Sequence, residues 1–96
     1  MNYRVILSPD AEENIRAVIR WYLDIQLELS FRFRAEAQAV FRRVGQNPYQ
    51  FPLTFKLTRK ALLRRFPYTI YFTFDADEVL VLAILHQRRF TTWNAP

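Results

Sequence analysis

Apolar residues recur at two different spacings along the chain, and each spacing predicts a different kind of element. After residue 8 they stand at positions 11, 15, 18, 22 and 25, intervals of four and three residues. These intervals predict an amphipathic helix over about 9–26. Ser8 and Pro9 support this start, because the hydroxyl can cap the first turn and proline suits the first helical position.

A second helical stripe begins at Leu29 and ends at Val44, which predicts another helix over about 29–45. A break over 27–30 separates the two helices, and Gly45 is a favourable helix stop. Two consecutive amphipathic helices with a short break between them predict a helical hairpin.

The remaining apolar runs are short and rich in branched and aromatic residues, which is typical of strands. They predict strands at 3–7, 60–65, 68–74 and 79–86, with a loop over 46–59 and a hairpin loop over 75–78. The predicted order is β-α-α-β-β-β. The fold class is therefore α+β, with the helical hairpin packed on one face of a mainly antiparallel sheet. We expect residues 1–96 to form a single domain.

The last hairpin has a predicted register. If Phe74 and Val79 flank the loop, Tyr71 pairs with Leu82 and Thr69 pairs with Ile84. That register predicts a helix-facing side made of Ile70, Phe72, Val81, Ala83 and Leu85. The opposite, mixed side would carry Thr69, Tyr71, Thr73 and His86. A slip of one residue would exchange the two sets.

Composition narrows the classes of function. There is no cysteine, which excludes disulfides and thiolate metal sites, and a single glycine leaves no phosphate-binding glycine-rich loop. No apolar run approaches the roughly 20 residues of a membrane span, and the N-terminus lacks the pattern of a signal peptide. We therefore expect a cytoplasmic protein without metal or cofactor. The net charge of +5, carried mostly by arginine, favours a nucleic acid or an acidic protein segment as partner.

The basic side chains gather at two points of the chain. Arg64 and Arg65 precede the turn at Pro67, and the last strand ends in His86, Arg88 and Arg89. Antiparallel pairing through that turn predicts that both groups lie at one edge of the sheet. Anion recognition is one interpretation of this edge, and solubilising residues that guard a strand end are the other.

Three further side chains have alternative interpretations. His86 can act as a general acid or base, or it can be a structural histidine that hydrogen-bonds a neighbouring backbone carbonyl. Tyr71 and Trp93 are candidates for partner contact. Aromatic residues in this part of the chain can stack on bases or fill the margin of the core.

Two long segments, "YRVILSPDAEENIRAVIRWYLD" and "LLRRFPYTIYFTFDADEVLVLAILHQRRFTTW", resemble the ParE/RelE superfamily of toxins from bacterial type II toxin–antitoxin systems. The most specific parts are the early "V-x-L-S-P-x-A" and the late "FPY-x-I-Y" and "H-x-R-R". The resemblance implies the same element order and a toxin neutralised by a small antitoxin.

The superfamily implies two activities. RelE-like members cut mRNA on the ribosome, whereas ParE-like members are reported to inhibit DNA gyrase, and the motifs here resemble the ParE-like branch. A metal-free endoribonuclease is the alternative, with His86, Arg64 and Arg88 as its catalytic residues. The tail "TTWNAP" lacks the tyrosine, lysine or histidine that would complete such a site.

The resemblance thus predicts a cognate acidic antitoxin and DNA gyrase as partners, or the ribosome and mRNA under the alternative, and no membrane. The residues expected to contact the target or the antitoxin are Arg64, Arg65, Tyr71, His86, Arg88, Arg89 and Trp93.

Overall fold

A computed structural model describes residues 2–88. In chain order its elements are β1 (Arg4–Leu7), α1 (Pro9–Ile25), α2 (Leu27–Gln46), a 3-10 helix (Pro48–Gln50), β2 (Leu53–Phe55), β3 (Thr58–Leu62), β4 (Tyr68–Phe74) and β5 (Glu78–His86). The five strands form one sheet in the order β1-β5-β4-β3-β2. Only the β1–β5 pair is parallel. The helical hairpin packs on one face, so the predicted α+β class is confirmed.

The start of α1 follows from its first residues. The Ser8 side chain accepts a hydrogen bond from the Ala11 N–H at 3.1 Å, and Pro9 occupies the first turn. The break between the helices is shorter than predicted. Gln26 alone separates them, and its backbone N–H donates to the Tyr22 carbonyl at 2.8 Å while its own carbonyl accepts from Leu29. The second helix therefore begins at Leu27, not at residue 29.

Gly45 lies inside the last turn of α2 and does not terminate it through a left-handed conformation, since no glycine here has a positive φ. Gly45 instead allows α2 to lie close to the start of the sheet. The Gly45 carbonyl accepts a hydrogen bond from the Tyr3 N–H at 2.7 Å. A Cβ atom at this position would lie 3.1 Å from Val5 Cγ2 and 3.2 Å from the backbone carbonyl oxygen of Tyr3. The absence of a side chain lets the two elements meet.

Aromatic rings fill the core between the hairpin and the sheet. Tyr22 and Phe33 from the helices meet Phe66 and Tyr68 from the sheet side, with ring centroids 5.0–6.3 Å apart and mostly edge-to-face. Phe33 is fully buried. Edge-to-face pairs add to the free energy gained from burying their area, so this cluster fixes the hairpin on the sheet.

The predicted loop over 46–59 is partly wrong, because it contains the 3-10 helix and β2. Asn47 starts the 3-10 helix by accepting the Tyr49 N–H at 3.2 Å through its side chain. The β2–β3 turn passes through Lys56, whose φ of 51° is left-handed. β2 is an added edge strand, so the observed order is β-α-α-β-β-β-β.

The predicted strand over 60–65 is displaced. β3 runs from Thr58 to Leu62, and Arg64 and Arg65 lie in the loop that follows it. The physical reason is Glu36 on α2, whose carboxylate accepts hydrogen bonds from the backbone N–H groups of both arginines. Those groups are therefore unavailable to a strand partner.

The predicted register of the last hairpin is correct from Phe74–Val79 to Phe72–Val81 and wrong from Tyr71 on, because β5 contains a bulge. Phe72 pairs with Val81 and Tyr71 with Ala83, so Leu82 is the extra residue. Two side chains from α1 and its cap hold the bulge. Ser8 Oγ donates to the Leu82 carbonyl at 3.1 Å, and Asn14 Oδ1 accepts the Ile84 N–H at 3.0 Å.

Because of the bulge, the residues of β5 after Leu82 lie on the opposite faces of the sheet from those predicted. Thr69 pairs with Leu85, Ile70 with Ile84 and Tyr68 with His86, rather than Thr69 with Ile84 as predicted. Ile84 and His86 therefore share the helix-facing side with Ile70 and Phe72. Ala83 and Leu85, predicted to face the helices, lie on the opposite side. The helix-facing assignments of Ile70, Phe72 and Val81 are confirmed.

Candidate functional site

The exchange of faces opens a groove between α1 and the end of β5, which we call the α1–β5 groove. Its volume is about 590 Å³. One wall is α1 and the other is formed by the β3–β4 loop and β5; the lining residues are Asn14, Ala17, Val18, Trp21, Tyr22, Pro67, Tyr68, Ile84, Leu85, His86 and Arg88. Among the lining residues that the structure describes there is no carboxylate, and Arg88 supplies a guanidinium group.

Tyr22 of the groove is uncharged at neutral pH because its pKa is raised. Burial raises the pKa of Tyr22, and the neighbouring Tyr68 raises it further through charge repulsion. The Tyr22 and Tyr68 rings stand edge-to-face with centroids 6.3 Å apart. The groove is thus aromatic and polar without negative charge, which suits an apolar side chain flanked by acidic ones.

His86 is held at the end of β5 by two contacts. Its ring stands edge-to-face against Tyr68 with centroids 5.4 Å apart. Its Nδ1 accepts the backbone N–H of Arg88 at 3.1 Å, whereas the structural alternative inferred from the sequence was a histidine that hydrogen-bonds a neighbouring carbonyl. An accepting Nδ1 assigns the proton of the neutral imidazole to Nε2. His86 therefore shapes the backbone that carries Arg88.

Two residues of the groove were missed by the sequence analysis. Trp21, which was not considered as a contact residue, is 63 % exposed. Asn14 was not singled out. Both lie on the flank of α1, outside the apolar stripe of Val18 and Tyr22. The sequence does place the large indole of Trp21 next to the stripe residue Tyr22, which could have indicated a contact residue. Nothing in the sequence indicated a role for Asn14.

A second cleft lies between α2 and the β3–β4 loop, which we call the α2–loop cleft. Its volume is about 380 Å³, and its lining residues are Glu36, Ala39, Val40, Arg43, Leu62, Arg64 and Arg65. The arginine side chains are exposed. Arg43 lies over the Phe51 ring, with its guanidinium carbon 5.4 Å from the ring centroid.

The two predicted basic groups lie at the same end of the sheet but not in the same cleft. Gln87 donates its backbone N–H to the Pro67 carbonyl at 2.9 Å, which ties the end of β5 to the β3–β4 loop. Arg88 and His86 line the α1–β5 groove, while Arg64 and Arg65 line the α2–loop cleft. The sequence predicts both groups at one edge of the sheet; in the structure Arg64, Arg65, His86 and Arg88 lie at one end of it but line two different clefts.

The other predicted contact residues are placed differently. Tyr71 is 1 % exposed. Burial raises its pKa, and a hydrogen bond with the Thr69 side chain acts in the opposite direction. We assign Tyr71 to the packing of the sheet. Arg89 and Trp93 lie outside the described residues.

Two classes of site find no support within residues 2–88. No group of three or more histidine, cysteine or acidic side chains there is placed to hold a metal ion. In the same range, neither helix is long and apolar enough to cross a membrane.

Comparison with known proteins identifies the family. The family model described as the ParE toxin of the type II toxin-antitoxin system, parDE, matches residues 5–90. This chain belongs to the ParE toxin family. The ParE-like branch indicated by the sequence motifs is thereby confirmed. No curated protein matches the chain.

One solved structure similar to this ParE-family chain is that of the chromosomal ParDE TA system from P. aeruginosa. The similarity covers 88 % of this chain and 95 % of that one, with a TM-score of 0.76 and 17 % sequence identity. At this identity the likeness establishes the fold alone. It agrees with the α+β architecture of the hairpin and the five-stranded sheet.

Proposed function

We propose that this ParE-family chain is a toxin that arrests growth in the cytoplasm by binding a protein, with DNA gyrase as the target, and that a cognate acidic antitoxin neutralises it. The choice of gyrase rests on the resemblance to the ParE-like branch. The antitoxin rests on the family and on the toxin–antitoxin system to which the similar structure belongs.

The observation that carries the proposal is the separation of the nuclease candidates. A metal-free endoribonuclease needs its acid, base and phosphate-stabilising groups around one phosphate. Here Arg64 lines the α2–loop cleft, whereas His86 and Arg88 line the α1–β5 groove. The Nδ1 of His86 is engaged by a backbone N–H. This arrangement supports binding over RNA cleavage.

The antitoxin is assigned to the α1–β5 groove. The groove combines an exposed indole, two tyrosines and an arginine. Exposed apolar side chains continue around the turn between the helices: Ile25 is 59 % exposed, Leu27 55 % and Phe31 55 %. Clustered exposed apolar residues are typical of a protein interface, and the net charge of +5 favours an acidic partner.

The target is tested by induced expression and by supercoiling assays with purified gyrase. Arg88→Ala should lower the inhibition of gyrase by about tenfold or more, because it removes a charge-assisted hydrogen bond to the target. The hydrogen bond from the backbone N–H of residue 88 to His86 is kept. His86→Gln should lose little. Arg20→Ala, an exposed position on α1, is the matched control. Loss of about 100-fold or more in His86→Gln, together with transcript cleavage by the wild type, would instead establish the endonuclease.

The antitoxin is tested by co-expression with the product of the adjacent short gene. Trp21→Ala should weaken the complex by about 30-fold or more, the loss typical of a buried aromatic hot spot. Leu57→Ala, at a side chain 80 % exposed in the β2–β3 turn, is the control. Equal affinity of the two variants would place the antitoxin elsewhere on the toxin.

A further inference from the structure

The α2–loop cleft is a second basic surface that the proposed function does not use. Its arginines come from two separate elements: Arg43 from the last turns of α2, and Arg64 and Arg65 from the β3–β4 loop. All three side chains are exposed. Three exposed guanidinium groups that line one small cleft form a basic surface, which favours an anionic ligand.

The one carboxylate that lines the cleft, Glu36, offsets only part of the charge of the three arginines. Glu36 accepts the backbone N–H groups of Arg64 and Arg65 through Oε2, the second at 3.1 Å, so this oxygen is directed at the loop backbone and not at a guanidinium group. Over residues 2–88 the ion pairs within 4 Å involve Arg4, Arg16 and Arg32, none of which lines the cleft. The three guanidinium groups are therefore available to an external anion.

The supports of the three arginines are fixed before any ligand arrives. Arg43 stacks over Phe51, which is itself buried. The loop is tied down by Glu36, by the Leu63 N–H to the Tyr68 carbonyl at 3.0 Å and by the Gln87 N–H to the Pro67 carbonyl at 2.9 Å. Ordered supports lower the conformational cost of binding.

The chemistry of the lining distinguishes between two kinds of anion. An acidic protein segment needs apolar anchors, and the α1–β5 groove supplies them. The α2–loop cleft exposes one large apolar side chain, Leu62, beside three arginines. Arginine presents a planar fork of donors that matches phosphate oxygens, and no aromatic ring of the cleft is exposed for stacking on a base.

We propose that the α2–loop cleft binds the phosphodiester backbone of a nucleic acid, independently of base sequence, through Arg43, Arg64 and Arg65. Contacts of this kind position a protein on nucleic acid without reading its sequence. The inference does not depend on the identity of the toxin's target, because its test uses the purified chain and nucleic acid alone.

The test is fluorescence anisotropy with a labelled 20-base-pair duplex DNA and, in a second arm, a single-stranded RNA of 20 nucleotides, each across a salt series. The triple variant R43Q/R64Q/R65Q should bind about tenfold or more weakly. The slope of log affinity against log salt should fall by about 2.7 on duplex DNA, since each phosphate contact contributes about 0.9. Tighter binding in one arm identifies which nucleic acid is the natural source of the phosphates.

The matched control is R16Q/R20Q/R34Q, which lowers the net charge equally at exposed positions outside the cleft. An equal loss in both variants would overturn the proposal, as would absence of binding by the wild type in both arms. If only a polyglutamate peptide binds, and depends on the cleft arginines, the partner is an acidic protein and the proposal is wrong.

Folding is controlled with the double variant R64Q/R65Q. This variant keeps the contact between Arg43 and the Phe51 ring. It also keeps both hydrogen bonds to Glu36, because the loop donates them from its backbone and not from the arginine side chains. Its slope on duplex DNA should fall by about 1.8 with an unchanged melting temperature. An unchanged slope in this variant would refute the assignment of Arg64 and Arg65.

Discussion

Asn14 joins α1 to β5 where the strand ladder is irregular. Its Oδ1 accepts the N–H of Ile84, a residue 3 % exposed, at 3.0 Å. On a regular strand that N–H would find its partner on a neighbouring strand, and here a side chain of the helix replaces it. A buried N–H without an acceptor costs free energy comparable to a lost hydrogen bond.

Asn14→Leu should therefore destabilise the protein by about 1–3 kcal/mol, with the melting temperature falling by about 4–8 °C for each kcal/mol. Asn14→Asp keeps an acceptor oxygen at the same position and should stay close to the wild type. Thermal unfolding followed by circular dichroism measures both variants. Equal stability of the leucine and aspartate variants would mean that the Ile84 N–H does not depend on residue 14.

The bulge at Leu82 could not be predicted from the strand itself. The run from Val79 to Leu85 is apolar at every position, so both faces are equally acceptable and the register is weakly specified. The choice is made by Ser8 and Asn14, about seventy residues earlier in the chain. The strand was therefore predictable from its own sequence, whereas the face on which His86 lies was not.

At the scale of elements, the helices were predictable because their stripes and the Ser8–Pro9 start are local signals. β2 was not, since the three residues after Pro52 are too few to show a period. The end of β3 was also mistaken. Arg64 and Arg65 directly follow the apolar residues of the strand in sequence. Their backbone leaves the strand because it hydrogen-bonds to Glu36, 28 residues away from Arg64.

Glu36→Ala should loosen the β3–β4 loop, because two backbone N–H groups lose a charged acceptor. We expect a stability loss of about 1–3 kcal/mol and faster hydrogen exchange at the amides of Arg64 and Arg65. Glu28→Ala is the matched control on the same helix. Glu28 pairs only with the exposed Arg32 side chain at 2.8 Å, and such a pair is worth about 0.5 kcal/mol. Indistinguishable exchange in the two variants would contradict the assigned role.

At the scale of the whole molecule, one face of α2 is buried against the sheet and another is exposed to solvent. Phe33 is fully buried and touches three other rings, whereas Phe31, two residues earlier, is 55 % exposed. The first holds the hairpin on the sheet. The second belongs to the apolar surface around the turn between the helices.

Phe33→Ala should lower stability by about 3–5 kcal/mol, a large part of the roughly 5–15 kcal/mol available to a small domain. Phe31→Ala should change stability by about 0.5 kcal/mol or less, because its ring is largely in water. Urea unfolding of the two variants measures the difference directly. A comparable loss in both would mean that Phe31 is buried in solution.

The parallel β1–β5 pair has a consequence for synthesis on the ribosome. Arg4 and Glu78, which meet across this pair, are 74 residues apart in sequence. At about 5–20 residues per second, β1 waits about 4–15 s for its only strand partner to be translated. The helical hairpin can form during that interval from local contacts. The α1–β5 groove cannot, because one of its walls has yet to be made, so the nascent chain lacks the groove until translation has passed Arg88.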